Sequence, residues 1–132
     1  MLKRIDHIGV VVDDLGEARR FLEEKLGLEV VRAGEAPAVG RRFAFYRCGE
    51  CQIELIEELD PAARGRSAGP QGATIEHIAI QVDDLDGAMA ALEGLGVRFR
   101  DRPVQIGSNR SVWTQPESSD GVMYQLFAPV SQ

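Results

Sequence analysis

Cysteine is scarce in this sequence: Cys48 and Cys51 are the only two, in the string CGEC. A C-x-x-C pair can be a redox couple or half of a zinc site, and a zinc site would need a second such pair, which the sequence does not contain. The string separates two strand-like runs, so Gly49-Glu50 is expected to form a hairpin turn flanked by two reduced structural thiols. An apolar run of the roughly 20 residues that cross a bilayer is also missing. The opening MLKRIDHIGVVV has a short basic flank but no cleavage site, and its apolar residues belong to a strand. A basic excess is missing too: 15 Lys and Arg stand against 21 Asp and Glu, for a formal net charge of −6. That balance excludes the basic stripe of a general nucleic-acid surface and a patch for anionic membranes. A cytoplasmic location is the default, with neither nucleic acid nor membrane as a partner.

What the sequence does contain is a repeated phrase. Residues 5–15 read IDHIGVVVDDL and residues 75–85 read IEHIAIQVDDL. Each copy opens a strand, Ile5–Val12 and Ile75–Val82, and ends at two aspartates that can cap a helix. Asp14 stands three residues before Glu17, the spacing of a capping box. Leu15, Ala18, Phe21, Leu22 and Leu26 then recur at helical intervals up to Gly27, and Leu85, Ala88, Met89, Leu92 and Leu95 repeat the plan up to Gly96. Strand-like runs follow each helix: LEVVRA, RRFAFYRC and CQIELIEEL, then VRFRD, RSVWTQ and VMYQLFAPV. The fold class is therefore α+β, from two tandem βαβββ modules. The expected layout is a single domain over 1–132: module one 1–59, a Gly/Pro/Ala/Ser-rich linker 60–74, and module two 75–132. Neither module is comfortable alone, and the chain as a whole has the size of one ordinary domain.

Polar positions fall into the same register. His7 recurs as His77, and Glu54 in IELI corresponds to Gln125 in YQLF. Strand alternation puts His7, Gly9 and Val11 on one face of the first strand, and Gln52, Glu54 and Ile56 on one face of the fourth. A lone histidine in an apolar strand is most often a hydrogen-bonded core residue. Two equivalent histidines with an equivalent Glu/Gln pair point instead to a shared divalent ion, because such groups are costly to bury without partners. Imidazole nitrogen with carboxylate and amide oxygen suits Co, Ni, Mn, Zn or Fe(II) with open positions. Such an ion polarises a carbonyl as a Lewis acid.

Paired modules opening with DHIGVVVDDL and EHIAIQVDDL resemble the vicinal oxygen chelate superfamily, which includes glyoxalase I, methylmalonyl-CoA epimerase, extradiol dioxygenases and bleomycin-resistance proteins. The resemblance covers essentially the whole chain. Within the superfamily, LGLEVVRAGEAPAVGRRFAFYRCGECQIELIEEL and IGSNRSVWTQPESSDGVMYQLF are most similar to the epimerase. The resemblance implies a curved, cup-like mixed sheet with helices outside, a homodimer, and His7, Glu54, His77 and Gln125 as metal ligands. It implies substrate contacts from Asn109 and Arg110 in the run Gly-Ser-Asn-Arg, and a small-molecule substrate resembling an acyl-CoA.

Three departures change the chemistry. The last ligand is normally a glutamate that is also an acid/base, and here it is Gln125. The usual Pro-Glu-Gln-Gly reads Pro37-Ala38-Val39-Gly40, and the usual His-Pro-Lys reads Gln115-Pro116-Glu117. An amide cannot take up a proton, so Glu54 becomes the candidate catalytic base in the mirror position, with Glu35 as a second base if its loop covers the site. The expected activity is a metal-dependent isomerase or lyase that abstracts a proton beside a metal-bound carbonyl. A glyoxalase I-like lyase, a small-molecule sequestering protein and an Fe(II) dioxygenase are the alternatives. Arg98, Arg100 and Arg102 alternate in VRFRDR and so share one strand face, which reads as the charged defence of an edge strand, with phosphates of a CoA-like substrate as the alternative contact.

Overall fold

The protein is described by a computed structural model over residues 1–130. Among those residues the elements run β1 (Leu2–Val12), α1 (Leu15–Arg20), β2 (Glu29–Ala36), β3 (Arg41–Cys48), β4 (Cys51–Glu58), α2 (Pro61–Ala68), β5 (Ala73–Val82), α3 (Leu85–Glu93), β6 (Val104–Ile106), β7 (Asn109–Trp113) and β8 (Met123–Pro129). The fold is α+β, and β-α-β-β-β occurs twice. By contacts the chain forms two compact units: His7–Glu76, and Met1–Asp6 with the chain from His77 onward. The boundaries fall inside β1 and β5, so each unit includes one end of the other module's opening strand.

In the His7–Glu76 unit the strands lie in the order β2-β3-β4-β1. Strand β1 runs parallel to β4, with His7 opposite Gln52, Gly9 opposite Glu54 and Val11 opposite Ile56. Period-two alternation sorts the two faces. One face carries Val12, Ala44, Tyr46 and Leu55, packed with Leu15 and Leu22 of the helical segment. The other carries Val11 and Ile56, packed on Ala68 of α2. Asp14 accepts a hydrogen bond from the Glu17 amide and starts α1 as the capping box requires. After Arg20 the helix widens into a π turn over Phe21–Lys25. That shift takes Phe21 and Leu26 out of the expected stripe, leaving them 55% and 53% exposed. In α3, Leu85, Ala88, Met89 and Leu92 pack as the periodicity predicts, but Leu95 lies beyond the helix end and is 82% exposed.

The Gly/Pro/Ala/Ser-rich stretch 60–74 is more ordered than its composition predicts. Asp60 caps α2 by accepting from the Ala62 amide, and Pro61 occupies the first turn, where its missing N–H costs nothing. Arg41 ties the unit together, donating to Glu58 and, through two bonds of 2.7 Å, to Glu76. Burial opposes its charge, but Glu76 and Glu58 outweigh burial and hold the guanidinium above its ordinary range. The CGEC turn forms as expected: Cys48 and Cys51 are cross-strand partners, and Gly49 takes the φ of 65° that the two-residue turn needs. Both cysteines are exposed, so they fill no core position.

Tyr46 is fully buried, and its hydroxyl donates to Glu23 at 2.5 Å while accepting from Arg19 at 2.8 Å. Burial first, and the Glu23 hydrogen bond second, push its phenol above the ordinary value. Tyr46→Phe is expected to lose about 1 kcal/mol near neutrality, the net value of such a bond. The folded pKa is raised, so this stability is complete below the unfolded tyrosine pKa of about 10 and is lost as pH rises through the folded value. Thermal unfolding at pH 7 and pH 11 should show the gap between wild type and variant closing on the alkaline side.

In the other unit the strands lie in the order β5-β8-β7-β6. Strand β5 runs parallel to β8, with His77 opposite Met123 and Ala79 opposite Gln125. Residues Leu2–Asp6 lie beside β5: Arg4 donates to Gln81, and the Asp83 amide donates to the Met1 carbonyl. The helix-facing core is Val82, Leu85, Ala88, Val112, Leu126 and Ala128. The VRFRD run is not a strand. It makes a single bridge, Phe99 with Thr114, and the second strand of this module is Val104–Ile106. Pro103 has no N–H for a ladder, so pairing resumes only after it. Arg98 therefore turns to Gln115, and Arg100 to the Met123 sulfur at 3.3 Å. Among the described residues no helix is long and apolar enough to cross a membrane.

Candidate active site

The parallel pairing of β1 with β4 gives the first half of the candidate site. Gly9 pairs with Glu54, and both His7 and Glu54 project from the face away from α1, as alternation requires. The His7 Nε2 lies 3.2 Å from Glu54 Oε1, with only 6% and 14% of the two side chains exposed. Two ligands of one first-row ion, with bonds of about 2.1 Å, stand about 3.0–3.4 Å apart. The His7–Glu54 spacing thus fits a common cation, and the imidazole and carboxylate are donors such an ion takes. Phe45 is the cross-strand neighbour of Glu54 and meets the His7 ring edge-on at 5.0 Å. Sequence reading missed this residue, because an aromatic in a strand reads as core filling.

The second half repeats the plan. His77 on β5 is 3% exposed and Gln125 on β8 is 8% exposed, and their strands pair in parallel with Gln125 opposite Ala79. The Gln125 side-chain nitrogen donates to the Ser111 hydroxyl at 3.0 Å. That bond fixes the amide and turns its carbonyl oxygen, the ligand-capable atom, to the opposite side. Ser111 is the partner of Phe127 across β7 and β8, so it shares the Gln125 face. No sequence signal marks it, since its role depends on the register of two strands. Asn109 belongs to the same alternation set as Ser111. Arg110 belongs to the other, on the side of α3, where its guanidinium pairs with Asp86 at 3.5 Å.

The structure does not bring Glu35 to the His7–Glu54 face. It lies in β2, not in a covering loop, opposite Arg42, and pairs with that guanidinium at 3.1 Å. Arg42 also binds Glu57, whose carboxylate accepts from the Leu15 amide at the start of α1. Glu35 therefore belongs to the helix side of the sheet, and its assignment as a second base is corrected. The Gln115-Pro116-Glu117 run lines a cleft of ≈ 540 Å³ with Arg100, Asp101 and Met123.

Two parallel strand pairs at equivalent places in equivalent modules, one bearing histidine and carboxylate and the other histidine and amide, define a paired βαβββ protein of the vicinal oxygen chelate type. The chain belongs to the glyoxalase/bleomycin resistance protein/dioxygenase superfamily, whose family model matches residues 4–126. It is 31% identical over 132 residues to the ethylmalonyl-CoA/methylmalonyl-CoA epimerase of Cereibacter sphaeroides, covering 96% of this chain and 98% of the relative. Among solved structures it resembles methylmalonyl-CoA epimerase from Mycobacterium tuberculosis, at a TM-score of 0.87 and 26% identity over 98% of this chain and 90% of the other. It also resembles a Streptomyces coelicolor methylmalonyl-CoA epimerase variant in complex with 2-nitronate-propionyl-CoA, at 0.87 and 27% over 99% and 100% of the two chains.

Proposed function

We propose that the protein is a metal-dependent isomerase of the epimerase type, acting beside the carbonyl of an acyl-CoA. The observation that carries this reading is the buried His7–Glu54 pair at 3.2 Å, a donor set and spacing suited to a divalent cation. In the proposal the two modules act as one domain. His7, Glu54, His77 and the carbonyl oxygen of Gln125 hold one Co, Ni, Mn, Zn or Fe(II) ion. When bound, such an ion supplies Lewis-acid polarisation of a carbonyl. Glu54 is the base that takes the proton from the neighbouring carbon, since Gln125 has no site for one. Support for an acyl-CoA comes from the epimerase relatives, one of which was solved with a propionyl-CoA analogue. Asn109 is the proposed substrate contact from its run, because Arg110 faces α3.

A second reading, a glyoxalase-like lyase, is favoured by one specific feature. Glu54 is a carboxylate where the partner position holds an amide, and a single base suffices to shuttle a proton within one substrate. The two readings separate in deuterated buffer with Co²⁺. The epimerase reading predicts that methylmalonyl-CoA exchanges its α-proton and loses its configuration together. Conversion of a glutathione–methylglyoxal adduct, with methylmalonyl-CoA left untouched, would establish the lyase instead.

A further inference from the structure

We infer that Arg32 is the residue that recognises the carboxylate of a malonyl-type acyl thioester. This rests on the proposed function of the same site. The observation begins with the register of β2 on β3. Val30 pairs with Tyr46 and Arg32 with Phe45, so one extra residue, Val31, is inserted between them. Without that bulge, alternation from Val30 would pair Val31 with Phe45 and put Arg32 on the helix side with Ala44. A bulge re-aims a side chain, and such bulges gather beside active sites. Here it places Arg32, Phe45 and Glu54 in one cross-strand row of β2, β3 and β4.

The side chain follows the backbone. The Arg32 guanidinium carbon stands 4.1 Å from the centre of the Phe45 ring and 5.4 Å from that of Phe43. Phe45 in turn touches His7, with ring centres 5.0 Å apart. Arg32 is thus no more than about 9 Å from the His7 ring, the two steps of 4.1 and 5.0 Å laid end to end. Of the other guanidinium groups on β3, Arg41 is committed to Glu58 and Glu76 and Arg42 to Glu35 and Glu57, whereas Arg47, two residues beyond Phe45, makes no ion pair among the described residues and is not stacked on the Phe45 ring. Arg32 is exposed and, among the described residues, makes no ion pair. Stacking on an aromatic face orders the guanidinium while leaving its edge donors open, the arrangement that suits two-point recognition of a carboxylate.

An unpaired arginine on an edge strand can also serve only to keep that edge from pairing with another chain. Edge protection requires neither the bulge nor the aromatic bed, and a side chain directed along the edge would do it better. Distance selects the anion. The acyl carboxylate of a malonyl group is a few bonds from the thioester carbonyl, within the span from His7 to Arg32. The phosphates of coenzyme A lie at the far end of the pantetheine arm.

Malonyl-CoA and acetyl-CoA differ by this one carboxylate, so they serve as probes. Their binding to Co²⁺-loaded wild type, Arg32→Gln and Arg32→Lys is measured by titration calorimetry. Arg32→Gln is expected to weaken malonyl-CoA by about tenfold or more, the value of a charged hydrogen-bonded pair, and to leave acetyl-CoA unchanged. Arg32→Lys should fall between, since it keeps the charge and loses the fork. Equal weakening of both esters would make Arg32 a phosphate contact, and no change in either would make it edge protection; both results overturn the inference. Failure of the wild type to bind either ester would overturn it together with the proposed function, and is recognisable because no variant is involved.

Discussion

Glu54→Gln is expected to slow exchange of the substrate α-proton with deuterated solvent by roughly 10²–10⁴-fold, the usual contribution of a positioned general base. The substitution is nearly isosteric. It keeps an oxygen 3.2 Å from His7 as a possible ligand, and it keeps the cross-strand packing on Phe45. What it removes is the only carboxylate in the proposed ligand set, the group that can hold an ion through one oxygen and take a proton on the other. Mass spectrometry of deuterium uptake by methylmalonyl-CoA measures the chemistry, and a Co²⁺ titration of the same variant shows whether the ion is still held. Exchange at the wild-type rate with the ion bound would remove Glu54 from the role of base. In the proposed ligand set the position equivalent to Glu54 is the amide Gln125, which cannot take over as a base.

The second large effect concerns the histidines. His7→Ala and His77→Ala should each weaken Co²⁺ binding by roughly 100-fold or more, at least the cost seen when even the supporting residues of a metal site are removed. Thermal unfolding gives an independent readout. A ligand present at 100 times its Kd stabilises the folded state by about 2.7 kcal/mol. At that Co²⁺ concentration wild type should melt higher than its metal-free form, and both variants should lose nearly all of this rise. The comparison with and without metal is needed because His7→Ala also removes the edge-on contact with Phe45 and lowers the stability of the metal-free chain. A variant that retains the full rise would exclude its histidine from the site.

Much of this site is legible in the sequence for a simple reason. The phrase around His7 is repeated around His77, and strand alternation needs only residue order to put Glu54 and Ile56 on one face and Leu55 on the other. The caps at Asp14 and Asp84 were equally readable, since a side-chain acceptor beside the first turn is a local event. What failed to show were events set by pairing between strands. The Val31 bulge decides that Arg32 joins the Glu54 face, and the pairing beyond it puts Glu35 opposite Arg42 on the helix side. Neither is written in β2 alone. Composition misled at residues 60–74, where Asp60 and Pro61 form a helix start amid residues typical of loops. Periodicity misled at Phe21, where a π turn advances the helix out of step. At VRFRD the alternation was real, but Pro103 moved the paired strand downstream to Val104–Ile106.

In the proposed function one cation is shared by donors from both modules. Titration of metal-free protein with Co²⁺, followed by the visible absorption of the bound ion, tests this most directly. A single endpoint at one ion per chain is expected, with the same absorption band lost in His7→Ala and in His77→Ala. Two ions per chain, or a band that survives in either variant while the other histidine still binds, would show two independent sites and contradict it.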